Sequence, residues 1–188
     1  MMETGYRVFT NWIVFTGAPY AGKTTVINEL KKRGYRVVLE TARVHLESEI
    51  NKGKFPIEIR RDEPIFQYNI LKKKLIIEKS LPTKEIIFLD RAIPDSLPYL
   101  EIAGAKTKNL IEFCKIFRYR LVFIFDRFNY KKDNIRIEEE WRAQQLNKSL
   151  ENIYTLLDYD VIRVPIMTVD ERINFILEII QNTKNKWI

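Results

Sequence analysis

FTGAPYAGKTTVINEL, residues 15–30, places two of the chain's six glycines, Gly17 and Gly22, just before a lysine and two threonines. Gly17-Ala18-Pro19-Tyr20-Ala21-Gly22-Lys23-Thr24 fits G-x-x-x-x-G-K-[ST], and it falls between an apolar, β-rich run and a helix-ready run. A wrapped backbone whose N–H groups all point inward needs torsions that glycine adopts without a Cβ clash. A helix starting near Lys23 adds free N–H groups and the positive end of its dipole. Lys23 supplies a point charge for β and γ phosphates, the Thr24 hydroxyl can ligate Mg²⁺, and Thr25 is the next hydroxyl toward the α phosphate. The stretch therefore reads as the cradle of a nucleoside triphosphate, ATP or GTP.

The rest of the chain alternates around it. Apolar runs at Trp12–Thr16, Tyr35–Glu40, Ile86–Asp90, Leu121–Asp126 and Asp160–Pro165 read as strands. Helical patterns fall near Thr24–Lys32, Ala42–Asn51, Pro64–Lys79, Asp95–Ala103, Thr107–Phe117, Glu138–Asp158 and Val169–Gln181. Continuous apolar strands separated by helices predict a parallel sheet covered on both faces. No repeat, low-complexity tract or linker divides the sequence, so residues 1–188 are expected to form one three-layer α/β domain.

Composition agrees with that expectation and narrows the setting. The 188 residues are 46% hydrophobic and 12% aromatic, enough for a sizeable core. A single cysteine, Cys114, excludes an internal disulfide and suits a reducing compartment. No run is long and apolar enough to span a bilayer, and Met1–Thr10 lacks a signal-peptide core. A cytoplasmic protein without a membrane span is expected. The net charge of +7 favours polyanions, but nucleotide phosphates satisfy it. The Lys72–Lys74 cluster reads as a solvated helix face, which makes nucleic acid the less favoured partner.

Two strand ends look alike as Mg²⁺ carboxylates: IIFLD-R, ending at Asp90-Arg91, and LVFIFD-R, ending at Asp126-Arg127. The local pattern does not choose between them. Glu40 ends the second predicted strand, at the edge where open α/β sheets bind ligands. There it can orient an acceptor hydroxyl or take its proton; a plain helix-start acid is the competing reading. Arg91 can bridge acceptor and phosphate, or form a structural ion pair. Arg127, Arg136 and Arg142 are candidate cations over the γ phosphate, and Arg136 is preferred because it enters the long helix after NYKKDN. His45, the only histidine, reads as structural.

The stretches TGAPYAGKTT, VVLETAR (37–43) and FLDRAIPDSLPYLEIAG (88–104) resemble the NadR-type P-loop ATPase/kinase family, often labelled an AAA domain. The resemblance runs from about residue 11 to 180. It implies a P-loop NTPase fold with a mostly parallel five-stranded sheet and a helical lid segment near 126–142. It also implies nucleotide binding, with Mg²⁺ as cofactor. P-loop kinases set the third strand beside the P-loop strand, which assigns the metal role to Asp90 with Thr24. Glu40 and Arg43 match the family's E-x-A-R element, where related small-molecule kinases place a carboxylate facing the acceptor. Arg91 matches its D-R element, and Pro165 lies in the loop that lines the base pocket. Tyr20 departs from the small residue that many relatives carry. The expected activity is transfer of a γ-phosphate to a hydroxyl of a nucleoside-like or other small metabolite. The alternative is a slowly hydrolysing regulatory ATPase or GTPase acting on a partner. The acceptor, the choice of ATP or GTP and the oligomeric state stay open at this level.

Overall fold

The computed structural model describes residues 5, 6, 8–127 and 136–183, without the side chains of 136–140. In chain order the elements are β1 (Val8–Phe9), β2 (Trp12–Thr16), α1 (Lys23–Lys32), β3 (Arg36–Val38), α2 (Thr41–Asn51), α3 (Pro56–Ile59) and α4 (Glu63–Ser80). They continue with β4 (Ile87–Asp90), α5 (Ser96–Ile102), α6 (Ile111–Cys114), β5 (Phe117–Arg118), β6 (Leu121–Phe125), α7 (Arg136–Leu156), β7 (Val161–Val164) and α8 (Val169–Asn182).

The main sheet has the order β3-β4-β2-β6-β7, and every pairing is parallel. All five predicted strands are in it, and the P-loop strand β2 is central. Its five residues are all buried because both faces of the sheet are covered. Strand alternation sends Trp12 and Val14 to one side, among Leu71, Leu97, Leu100, Ile153 and Tyr154 of α4, α5 and α7. Ile13 and Phe15 go to the other, among Val26, Ile27 and Leu30 of α1 and Ile173 and Ile176 of α8. Each such side chain contributes roughly 1.5–3 kcal/mol by leaving water. The expected three-layer architecture is present.

Local chemistry sets the helix ends. The Asp62 side chain accepts from the Ile65 N–H at the start of α4, and Thr168 and Glu171 form a reciprocal capping box on α8. The start of α1 differs: its N-cap is Gly22 at φ 83°, with no side-chain cap. Its first-turn N–H groups face the loop before it.

Three expectations were off. The Lys72–Lys74 cluster is not wholly a solvated face: Lys74 is buried and donates to the Ala92 carbonyl at 2.8 Å. The pattern at Thr107–Phe117 is not one helix but a 3₁₀ turn at Lys108–Leu110, then the one-turn α6. The chain then extends into β5, where Phe117 packs on Trp12 with ring centroids 4.9 Å apart. The parallel pair β1–β5 was not expected either; two-residue strands carry no readable alternation. Among the described residues no helix is long and apolar enough to cross a membrane.

Candidate active site

β2 ends at Thr16, and the chain turns through residues 17–22 into α1. Gly17 has φ 124°, and a Cβ there would lie 2.9 Å from the Phe125 carbonyl oxygen, so a side chain at this position would push β6 away. The two glycines bracket a loop that closes on itself: the Lys23 ammonium donates to the carbonyls of Gly17 and Ala18, both at 2.9 Å. Burial, with the Arg91 charge nearby, pulls Lys23 down to about 7 against the opposing carboxylates Asp90, Glu40 and Asp95. Tyr20 is largely exposed and held at φ 63°, a conformation that costs a non-glycine residue on the order of 1 kcal/mol.

Strand order alone does not separate the two look-alike aspartates; their partners do. β4 and β6 both flank β2, so both carboxylates lie close to the loop. The Thr24 hydroxyl donates to Asp90 Oδ2 at 2.8 Å. Asp126 instead accepts from Arg163 at 2.8 Å. Asp90 is fully buried, and its Oδ1 has no hydrogen-bond partner among the described residues. Burial raises the Asp90 carboxyl above its usual range, although Lys23 and Arg91 act against this. An orphaned carboxylate oxygen beside a threonine hydroxyl is a hard, all-oxygen donor pair, and it fits a divalent cation that keeps waters and phosphates as its other ligands.

One residue further on, Arg91 opens the opposite side. Its backbone sits at φ 69°, and its N–H donates to the Phe15 carbonyl at 3.0 Å. Its Nε donates to Glu40 Oε1 at 2.9 Å, and its guanidinium lies 5.1 Å from the centre of the Tyr99 ring. Burial works against the Arg91 charge, but Tyr99, Glu40, Asp95 and Asp90 together hold its pKa above the ordinary value. Glu40 is the N-cap of α2; burial pulls its carboxyl up, yet Arg91 and Lys23 outweigh this and hold it below the usual range. Glu40 is thus an ionised, partly buried acceptor.

The remaining candidates sit further out. Arg43 is exposed and pairs with Glu47 at 3.1 Å, away from the Glu40–Arg91 pair. Pro165 follows β7, and its carbonyl accepts from Arg172 Nε at 3.0 Å. Arg142 is exposed on α7. The Arg136 side chain and residues 128–135 of the expected lid lie outside the described residues.

Three side chains not picked out from sequence complete the frame. Buried Arg172 donates to the carbonyls of Ala21, Pro165 and Asp126, at 2.7, 3.0 and 3.3 Å. Asn147 of α7 accepts from the Ala18 N–H at 2.9 Å. Asp95, fully buried, accepts from the Thr16 hydroxyl at 2.6 Å. Asp95 stands inside the D-R-A-I-P-D run and could have been noticed there; a mid-helix asparagine carries no such signal.

Residues 12–172 match the model of a family described as an AAA domain. The chain belongs to this family. Solved structures share its fold: deoxyadenosine kinase from M. mycoides, with products dCMP and a flexible dCDP bound, aligns at TM-score 0.61 and 18% identity over 92% of this chain and 100% of that one. A NadR protein in complex with NR aligns at 0.65 and 16%, over 96% of this chain and 53% of that one. Thymidylate kinase from Candida albicans aligns at 0.57 and 15%, over 94% and 93%. No curated protein sequence matches the chain. The NadR-type resemblance read from the P-loop, ETAR and DRAIPDSLPYL stretches is borne out for this AAA-domain chain.

Proposed function

We propose that the protein is a P-loop small-molecule kinase, moving the γ-phosphate of ATP to a hydroxyl of a nucleoside-like or other small metabolite. The observation that carries this reading is the arrangement about residues 90 and 91. Asp90 meets Thr24 at the phosphate side, while Arg91 meets Glu40 at the other side of the same turn. A carboxylate held ionised by a buried arginine, next to the Asp90–Thr24 pair, supplies an acceptor for the proton of an attacking hydroxyl. The kinases among the fold's neighbours support the same choice.

The P-loop residues Gly17–Thr25 would wrap the triphosphate, with Lys23 as the cation near the β and γ phosphates. Thr24 and Asp90 would hold Mg²⁺, which when bound neutralises charge on the β and γ oxygens. Ionised Glu40 accepts the hydrogen bond, and then the proton, of the attacking hydroxyl. The new P–O bond forms at that oxygen as the bond to the bridging β–γ oxygen breaks, leaving ADP. Arg91 meets the charge that spreads over the transferring group. Arg43 would contribute to the acceptor side only by leaving Glu47, and Pro165 would border the base. A cytoplasmic setting, which keeps Cys114 reduced, accords with a metabolite kinase.

ADP formation from Mg·ATP or Mg·GTP across a panel of hydroxyl acceptors tests this reading. Acceptor-dependent turnover is expected, and Glu40→Gln should lower it by roughly 10²–10⁴ while nucleotide affinity stays within a few-fold. Slow turnover indifferent to every acceptor would replace the kinase with the regulatory NTPase.

A further inference from the structure

The carboxylate of Asp95 meets the Thr16 and Tyr154 hydroxyls, the Ala92 N–H and the Arg91 guanidinium. It is fully buried. Oδ1 accepts from the Thr16 hydroxyl at 2.6 Å and faces Arg91 Nη1 at 3.5 Å. Oδ2 accepts from the Ala92 N–H at 3.0 Å and from the Tyr154 hydroxyl of α7 in a short bond. Thr16 is the residue before Gly17, so one carboxylate touches the root of the phosphate loop, the turn that carries Arg91 and the helix behind both.

Stability alone is a poor account of this arrangement. A core carboxylate with its partners is often no better than apolar residues of the same volume. The backbone of Arg91, moreover, is held in the left-handed region at φ 69°. Such a conformation persists only where the surroundings over-determine it. One of the bonds that do so, from the next residue's N–H, goes to Asp95, which also faces the Arg91 side chain at Nη1.

We propose that Asp95, oriented by the Tyr154 hydroxyl, is a positioning residue that sets the direction of the Arg91 guanidinium and its distance from the phosphate loop. Tyr154 and Ala92 fix the plane of the carboxylate through Oδ2. That leaves Oδ1 directed between Thr16 and Arg91, which joins the guanidinium to the strand feeding the P-loop. Glu40 then receives the Nε–H of an arginine that is already aimed. The consequence for catalysis rests on the kinase reading above; the orientation of Arg91 does not.

The test therefore has two readouts. In ¹⁵N-labelled protein the Arg91 side-chain signals, assigned by their disappearance in Arg91→Lys, should show slow rotation about the guanidinium of the wild type. Asp95→Asn and Tyr154→Phe should each speed that rotation. In the kinase assay the same variants should lose roughly 10- to 100-fold in kcat, because small misplacements at a reacting centre are that costly. Nucleotide affinity should change by no more than a few-fold. If Asp95→Asn does not fold, Tyr154→Phe, which removes only a hydroxyl, decides by the same signals. Arg91 signals that match the wild type in the folded variants would overturn the positioning role, whatever the kinetics. Wild-type protein with restricted Arg91 but no acceptor-dependent turnover would instead remove the kinase reading and leave the positioning role standing.

Discussion

At the scale of single residues, Asp90 carries two opposed demands. Burial destabilises its charge, and one of its oxygens has no hydrogen-bond partner among the described residues. A group kept there for stability alone would be a poor choice. Replacing it therefore separates function from folding in sign. Asp90→Asn keeps an oxygen for the Thr24 hydroxyl and removes the desolvated charge, so the melting temperature of the nucleotide-free protein should stay level or rise. The same change should abolish the tightening of nucleotide binding by Mg²⁺, while metal-free affinity stays within a few-fold. Calorimetric titrations with and without Mg²⁺ measure both. Asp126→Asn, which loses the contact with Arg163, serves as the comparison and should keep the Mg²⁺ effect. If the effect follows Asp126 instead, the strand-end assignment is wrong.

At the scale of elements, the phosphate loop is held from outside. Arg172, in the first turns of α8, bridges the Ala21 carbonyl of the loop, the Pro165 carbonyl after β7 and the Asp126 carbonyl after β6. Arg172→Leu keeps most of the apolar stem but leaves three carbonyls short of a donor. It should destabilise the fold by about 2–4 kcal/mol in urea denaturation, and weaken ATP binding even where the protein is folded. A loss of stability with wild-type ATP affinity would mean that α8 supports the sheet and not the loop. This bridge also shows what could be read beforehand. The P-loop was legible because its glycines, lysine and threonine are contiguous, and the strands were legible because covered parallel strands are continuous apolar runs. Glu40 and Arg91 could each be named, but not their pairing across 51 positions of sequence. The contacts of Arg172 with Ala21 and of Asn147 with Ala18 span 151 and 129 positions. Only the folded sheet, which sets α7 and α8 against the loop, makes such pairs.

At the scale of the whole molecule, polar groups run through one face of the sheet from the site toward its far end. Lys74 donates to the Ala92 carbonyl at 2.8 Å, and Glu78, one turn along α4, accepts from the Ile93 N–H at 2.9 Å and the Tyr119 hydroxyl at 2.6 Å. Both charged residues are buried. Burial pushes the Glu78 carboxyl up to about 8, although Tyr119, Lys74 and the Ile93 N–H pull the other way; burial also lowers Lys74. The sign for stability follows from linkage. A carboxyl whose folded pKa lies above its unfolded value binds its proton more tightly in the native state, so its contribution is full below about 4.5 and is lost as the pH climbs toward 8. Wild-type protein should therefore lose stability between pH 5.5 and 8 through this group. Glu78→Gln stays neutral throughout and retains an oxygen for the Ile93 N–H or the Tyr119 hydroxyl, so its stability should depend less on pH across the same interval. The two pH dependences, taken from urea midpoints at matched ionic strength, should differ by at least about 1.4 kcal/mol, the worth of one pKa unit. Titrating groups distant from Glu78 are common to the two proteins and cancel in that difference, which leaves Glu78 together with Lys74, whose charge it supports. Parallel curves would mean that Glu78 is ionised and fully paired with Lys74 in the native state, and that the polar column behind the site holds a fixed ion pair instead of a proton.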